Sequence, residues 1–85
     1  MRRTETIITV PCSVGDRFWI IDPLCREVVQ VECSGYYVSR DAKIDKYVDC
    51  LWMDSMSKSG DYWKIPFDEF DERCFNTRKE AERSR

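Results

Sequence analysis

Residues 17–33 read RFWIIDPLCREVVQVEC, and this stretch decides the fold. Its first part, RFWIID, is rich in the aromatic and β-branched residues that suit a pleated strand. Period-two alternation puts Phe18 and Ile20 on one face and Trp19 and Ile21 on the other. Asp22-Pro23 then breaks the pattern, because proline presets the φ that the first central position of a turn needs. EVVQVEC follows with Val29, Val31 and Cys33 on an apolar face and Val28, Gln30 and Glu32 on a mostly polar one. Two alternating runs around a short turn predict a β-hairpin.

Outward from the hairpin the pattern stays one of short strands. On the N-terminal side, ETIITV (5–10) alternates as a strand with Ile8 and Val10 facing inward, and PCSVGD is a turn in which Gly15 can take positive φ. On the C-terminal side, Ser34-Gly35 is a bend or bulge and GYYVSR opens the next strand. DAKID is a polar loop. KYVDCLWM alternates again, and Val48, Cys50 and Trp52 are expected to face inward. DSMSKSGD (54–61) is a loop, YWKIPF a short strand ended by Pro66, DEFDE a turn or one loop of 3₁₀ helix, and RCF a last extended piece. Thr77, with Glu80 three residues on, forms a capping-box signature that starts a terminal helix.

A helix of about eight residues is marginal alone in water, so it must dock. Five or six short strands suggest a small closed or half-closed barrel, and a two-turn helix is the size to cover its open end with Ala81 at the closest approach. The chain reads as one domain, with the barrel over residues 1–76 and the capping helix over 77–85. The expected core is Ile8, Val10, Phe18, Ile20, Val29, Val31, Val48, Cys50, Trp52, Ile65, Phe67 and Phe75.

Composition narrows the function classes. At 42% hydrophobic, 35% charged and 13% aromatic, the chain is too apolar for disorder. Its apolar runs are too short to span a membrane, and its first residues lack the sustained apolar core of a signal peptide. Cys12, Cys25, Cys33, Cys50 and Cys74 include no CxxC pair, and there is no histidine, so no metal site or cofactor is expected. An odd cysteine count without a secretion signal fits free thiols in a reducing, cytoplasmic compartment, with Cys33 and Cys50 as small buried hydrophobes. The formal charge of −2 hides an asymmetry: residues 41–72 carry four basic side chains against nine acidic ones, a net of −5.

The hairpin sequence VGDRFWIID…EVVQVEC resembles the opening hairpin of SH3-like small barrels. IPFDEFDERCFNTRKEAE resembles the ending of a group of small proteins from phages and mobile elements of Gram-positive bacteria: a strand, an acidic PF..F turn, then F.T..EAE opening a C-terminal helix. The resemblance covers roughly residues 14–38 and 62–83. It implies a mainly β fold, an SH3-like half-open barrel of five to six antiparallel strands capped by a short helix, in a bacterial host cell. It carries no active site.

Catalysis is not expected, since acid–base chemistry at neutral pH most often uses histidine and no cysteine here has one to activate it. The carboxylates Asp68, Glu69, Asp71 and Glu72 are a solvated surface before they are an acid–base pair. The leading expectation is a non-enzymatic protein-binding module, because interfaces favour Tyr, Trp and Met. Its expected contact residues are Tyr62, Trp63, Asp54, Asp61, Asp68, Glu69, Asp71 and Glu72. The acidic series suits a basic partner, such as a nucleic-acid-acting host defence enzyme inhibited in the manner of an anti-CRISPR protein. One alternative is a nucleic-acid-binding barrel that stacks bases on Trp19, Tyr36, Tyr37, Tyr47, Tyr62 and Trp63, aided by Arg2, Arg3, Arg17 and Arg40. The net acidity weighs against it. Another is a structural, homo-oligomeric phage component joined at a strand edge.

Overall fold

A computed structural model describes residues 9–41 and 46–85, the side chains of 39–48 excepted. The chain is mainly β. The strands β1 (Arg17–Ile21), β2 (Val28–Asp41), β3 (Lys46–Ser55) and β4 (Tyr62–Pro66) form one antiparallel sheet in that order. A 3₁₀ turn (Phe67–Glu69) leads into the one-turn helix α1 (Phe70–Arg73), and α2 (Arg78–Ser84) follows.

The expected hairpin of residues 17–33 forms, in the register Arg17↔Glu32 to Ile21↔Val28, which sets Phe18 and Ile20 opposite Val31 and Val29. Its turn is closed by Asp22. The Asp22 carboxylate accepts the Leu24 N–H at 2.8 Å, and the Asp22 carbonyl accepts the Arg26 N–H at 2.8 Å. Arg26 sits at φ 64, the left-handed region that favours glycine. Upstream, Gly15 at φ 97 turns the chain so that its N–H reaches the Cys33 carbonyl at 2.8 Å, while Cys33 N–H reaches the Asp16 carbonyl at 2.9 Å.

GYYVSR is not a separate strand. β2 runs on through a bulge: Cys33 pairs with Met53, Gly35 with Trp52, and Ser34 is the extra residue. The bulge switches the parity of β2, so that Tyr36, instead of the odd-numbered residues, shares the core face with Leu51. β3 buries Leu51 and Met53 completely, not the expected Cys50 and Trp52, which are half-buried on the opposite face. KYVDCLWM is apolar at both parities, so alternation alone does not choose between them. Pairing with Cys33, Ile65 and Trp63 does.

The central cluster joins Phe18, Ile20, Val31, Cys33, Leu51, Met53, Ile65 and Cys74, with Val29, Trp63, Phe67 and Phe70 packed around it. Phe70 meets Phe18 edge to face at 5.1 Å, tying α1 to the hairpin. Val10 is 39% exposed and lies outside this core, and neither Thr9 nor Val10 is in a strand. Ile8, with the rest of residues 5–8, and the Val48 side chain lie outside the described residues. Asp54 and Ser55 close β3 rather than opening the loop, which begins at Met56. Four strands stand among the described residues. Phe75 adds a single bridge to Trp19, its N–H and carbonyl each at 2.8 Å from the partner group.

Helix α2 starts where expected, with the Thr77 hydroxyl accepting the Glu80 N–H at 3.2 Å. Its seat differs from the expected one. The Arg78 guanidinium lies 5.8 Å from the Trp19 ring, and Trp19 alternates with core-facing Phe18 and Ile20. The helix therefore covers the face of β1 turned away from the cluster. Ala81 is fully buried there but does not belong to the cluster.

Candidate protein-binding surface

The switch in β2 and the register of β3 and β4 assemble three cross-strand rows on the face opposite the core. They are Tyr37–Cys50–Pro66, Gly35–Trp52–Lys64 and Glu32–Asp54–Tyr62. Diagonal neighbours on one face are close enough for aromatic rings to meet. Trp52 and Tyr62 do so, stacked with centroids 4.7 Å apart and planes 10° from parallel. The Lys64 ammonium stands 5.2 Å from both the Trp52 and the Tyr37 centroids, in cation–π range of each. Gly35 pairs with Trp52 and puts no side chain opposite it, and the space where one would stand is open. Tyr62 is 54% exposed and Tyr37 47%. The result is an open aromatic platform around one cation, held on rigid strands.

Of the expected contact residues, Tyr62, Asp54 and Asp61 come together here. Asp54 is in the Tyr62 row, and Asp61 precedes Tyr62 and accepts the Ser55 N–H on its carbonyl at 2.9 Å. The hydroxyls of Ser55, Ser57 and Ser59 form a chain of 2.8 Å hydrogen bonds that braces this loop. Trp63, one residue on, points to the other face and packs against the core. The quartet Asp68, Glu69, Asp71 and Glu72 begins beyond Pro66, at the far end of β4 and roughly 15 Å from Tyr62 along the strand. There the acids occupy the first turns of the 3₁₀ segment and α1, where negative charge is favoured by the exposed N–H groups. The acidic series is thus two groups, not one surface.

Trp52, Tyr37 and Lys64 are the members of the platform outside the expected contact set. Trp52 is expected in the core but lies on the opposite face, and the equal apolarity of Leu51 and Met53 is the signal in the sequence that leaves its face open. Among the other expected stacking aromatics, Trp19 lies under Arg78, and Tyr36 meets Phe67 edge to face at 6.3 Å. Arg17 is taken up by Glu32 at 3.3 Å.

All five cysteines are free. Burial, then the neighbouring Cys33 thiol, pushes Cys12 up to about 12, and burial pushes Cys74 up to about 11 against the opposing pull of Arg73. At neutral pH both are thiols, the weakly nucleophilic form. Among the described residues no helix is long and apolar enough to cross a membrane. Comparison with protein-family models, with curated proteins and with solved structures returned no significant match to this chain.

Proposed function

We propose that this chain is a non-enzymatic protein-binding module that docks a basic partner surface through the Tyr37–Trp52–Tyr62–Lys64 platform. The observation that carries the reading is the stack of exposed Tyr62 on half-buried Trp52, on adjacent strands. Tyr and Trp dominate interface hot spots because they bury large area at little cost in rotamer entropy. Asp54 and Asp61 beside the stack favour a basic partner and quicken encounter.

The SH3-like half-open barrel is part of the proposal. Four features support it: the meander order of the strands, a long bulged β2 shared between β1 and β3, a 3₁₀ turn after β4, and the Phe75 bridge back to β1. The narrower version is a phage-type inhibitor of a nucleic-acid-acting host enzyme in the bacterial cytoplasm. It draws on the resemblance of the C-terminal segment and on the acidic middle. Because the acids divide into two groups, the aromatic platform comes first in this reading and the quartet second.

The test is capture from a bacterial lysate by immobilised protein, comparing wild type, Tyr62→Ala and a variant with Asp68, Glu69, Asp71 and Glu72 all changed to Lys. A partner kept by the quartet variant and lost with Tyr62→Ala supports the platform. Loss with the quartet variant alone moves the contact to α1 and favours charge mimicry. Binding of a single-stranded oligonucleotide at moderate salt overturns the protein-binding reading.

A further inference from the structure

A cavity of about 300 Å³ lies between the β1–β2 turn, α1, Phe75 and the end of α2. It shares no residue with the aromatic platform. Arg26 lines it from the turn, and Glu72 and Arg73 line it from α1. Ile21, Pro23 and Phe75 make its apolar wall. Among the described residues, neither Arg26 nor Arg73 forms an ion pair with a carboxylate; Glu72 lines the same cavity without closing on either.

We infer that this cavity binds a small monoanionic carboxylate bearing an apolar group. The guanidinium groups of Arg26 and Arg73 hold the carboxylate, and Ile21, Pro23 and Phe75 receive the apolar part. Three observations lead there. The volume sits at the small end of ligand pockets, which suits a small ligand. The wall charge is two positive against one negative, which matches one negative charge and sets Glu72 against a doubly charged phosphate. Planar guanidinium groups match carboxylates in fork geometry.

The backbone adds a fourth. Arg26 holds φ 64, where glycine or asparagine would sit with less strain. A strained position that keeps a long cationic side chain at the edge of a cavity is one where the side chain has a use.

A free carboxylic acid and the C-terminal carboxylate of a partner chain share this chemistry. The test is an amide chemical-shift titration of the full chain with N-acetyl-leucine, N-acetyl-leucinamide, inorganic phosphate and a peptide ending in Leu. N-acetyl-leucine should shift Arg26, Arg73 and Phe75 saturably, and the uncharged amide should not. Arg26→Gly should weaken binding by about tenfold or more, the loss of one charge-assisted contact, while melting no lower than wild type. Arg73→Gln should weaken it similarly, which covers the case of a poorly folded Arg26 variant. A terminal-Leu peptide tighter than N-acetyl-leucine identifies a chain end as the ligand, and equal affinity identifies the free acid. Equal binding of the amide, tighter binding of phosphate, or full binding by both Arg variants overturns the inference.

Discussion

Cys12 illustrates how one side chain couples packing to pH. Its thiol is partly buried beside Cys33, and its carbonyl accepts the Tyr36 hydroxyl at 2.6 Å, so the segment before β1 is pinned to the sheet at this point. Burial raises the thiol from its ordinary value near 9 to about 12. An acid whose folded pKa is raised releases its proton more readily in the unfolded chain. Above the unfolded value the unfolded state then binds fewer protons, and stability falls as pH rises. Cys74, raised to about 11, acts in the same direction. Stability should therefore be flat in these two groups up to about pH 9 and decline from there through 11 to 12. Thermal melts across that range should show the decline, and Cys12→Ala should make it shallower. An alkaline limb unchanged by that substitution would remove Cys12 from the account.

At the scale of the element, the short α2 is held by its start and by its seat. Of the four orphan N–H groups at its first turn, one is satisfied by the Thr77 hydroxyl. Arg78–Glu82 at 3.5 Å adds an exposed i,i+4 pair worth only a few tenths of a kcal/mol. Thr77→Ala should cost about 1 kcal/mol, measured by denaturant unfolding, with Thr77→Ser restoring most of it. The Thr77 start was legible because capping is written in adjacent residues. The seat was not, because an amphipathic helix announces that it docks but not on which face of a two-sided hairpin. The β1–β2 hairpin was legible for the same local reason: its polar and apolar positions separate cleanly, as at Val31 and Glu32. The face of β3 is not legible because Cys50, Leu51, Trp52 and Met53 are all apolar, and the decision lies in their pairing with Cys33 on β2 and with Ile65 and Trp63 on β4. The Ser34 insertion also shaped the candidate site, since it turned Tyr37 to the face that Trp52 already occupies.

For the molecule as a whole, the sheet divides its apolar side chains between two tasks, and the division can be measured. Leu51 and Met53 face a sealed cluster, whereas Trp52 lies between them in sequence and, half-buried on the other face, stacks on exposed Tyr62. Truncating Leu51 to Ala leaves a cavity among residues that cannot collapse, at about 2–5 kcal/mol. A chain of this size holds on the order of 4–13 kcal/mol in total, so Leu51→Ala should be markedly unstable or unfolded. Tyr62→Ala removes one exposed ring from a stack worth about 1 kcal/mol and should leave a folded protein with a slightly lower midpoint. Binding should follow the opposite order. Tyr62→Ala should lose the captured partner, while a milder core change, Leu51→Val, should keep it in proportion to the folded fraction. The pair of measurements separates a surface selected for contact from apolar residues that merely spilled out of a small core. If Tyr62→Ala and Leu51→Val lower stability alike and leave capture alike, the platform is ordinary packing and the contact surface must be sought elsewhere on the sheet.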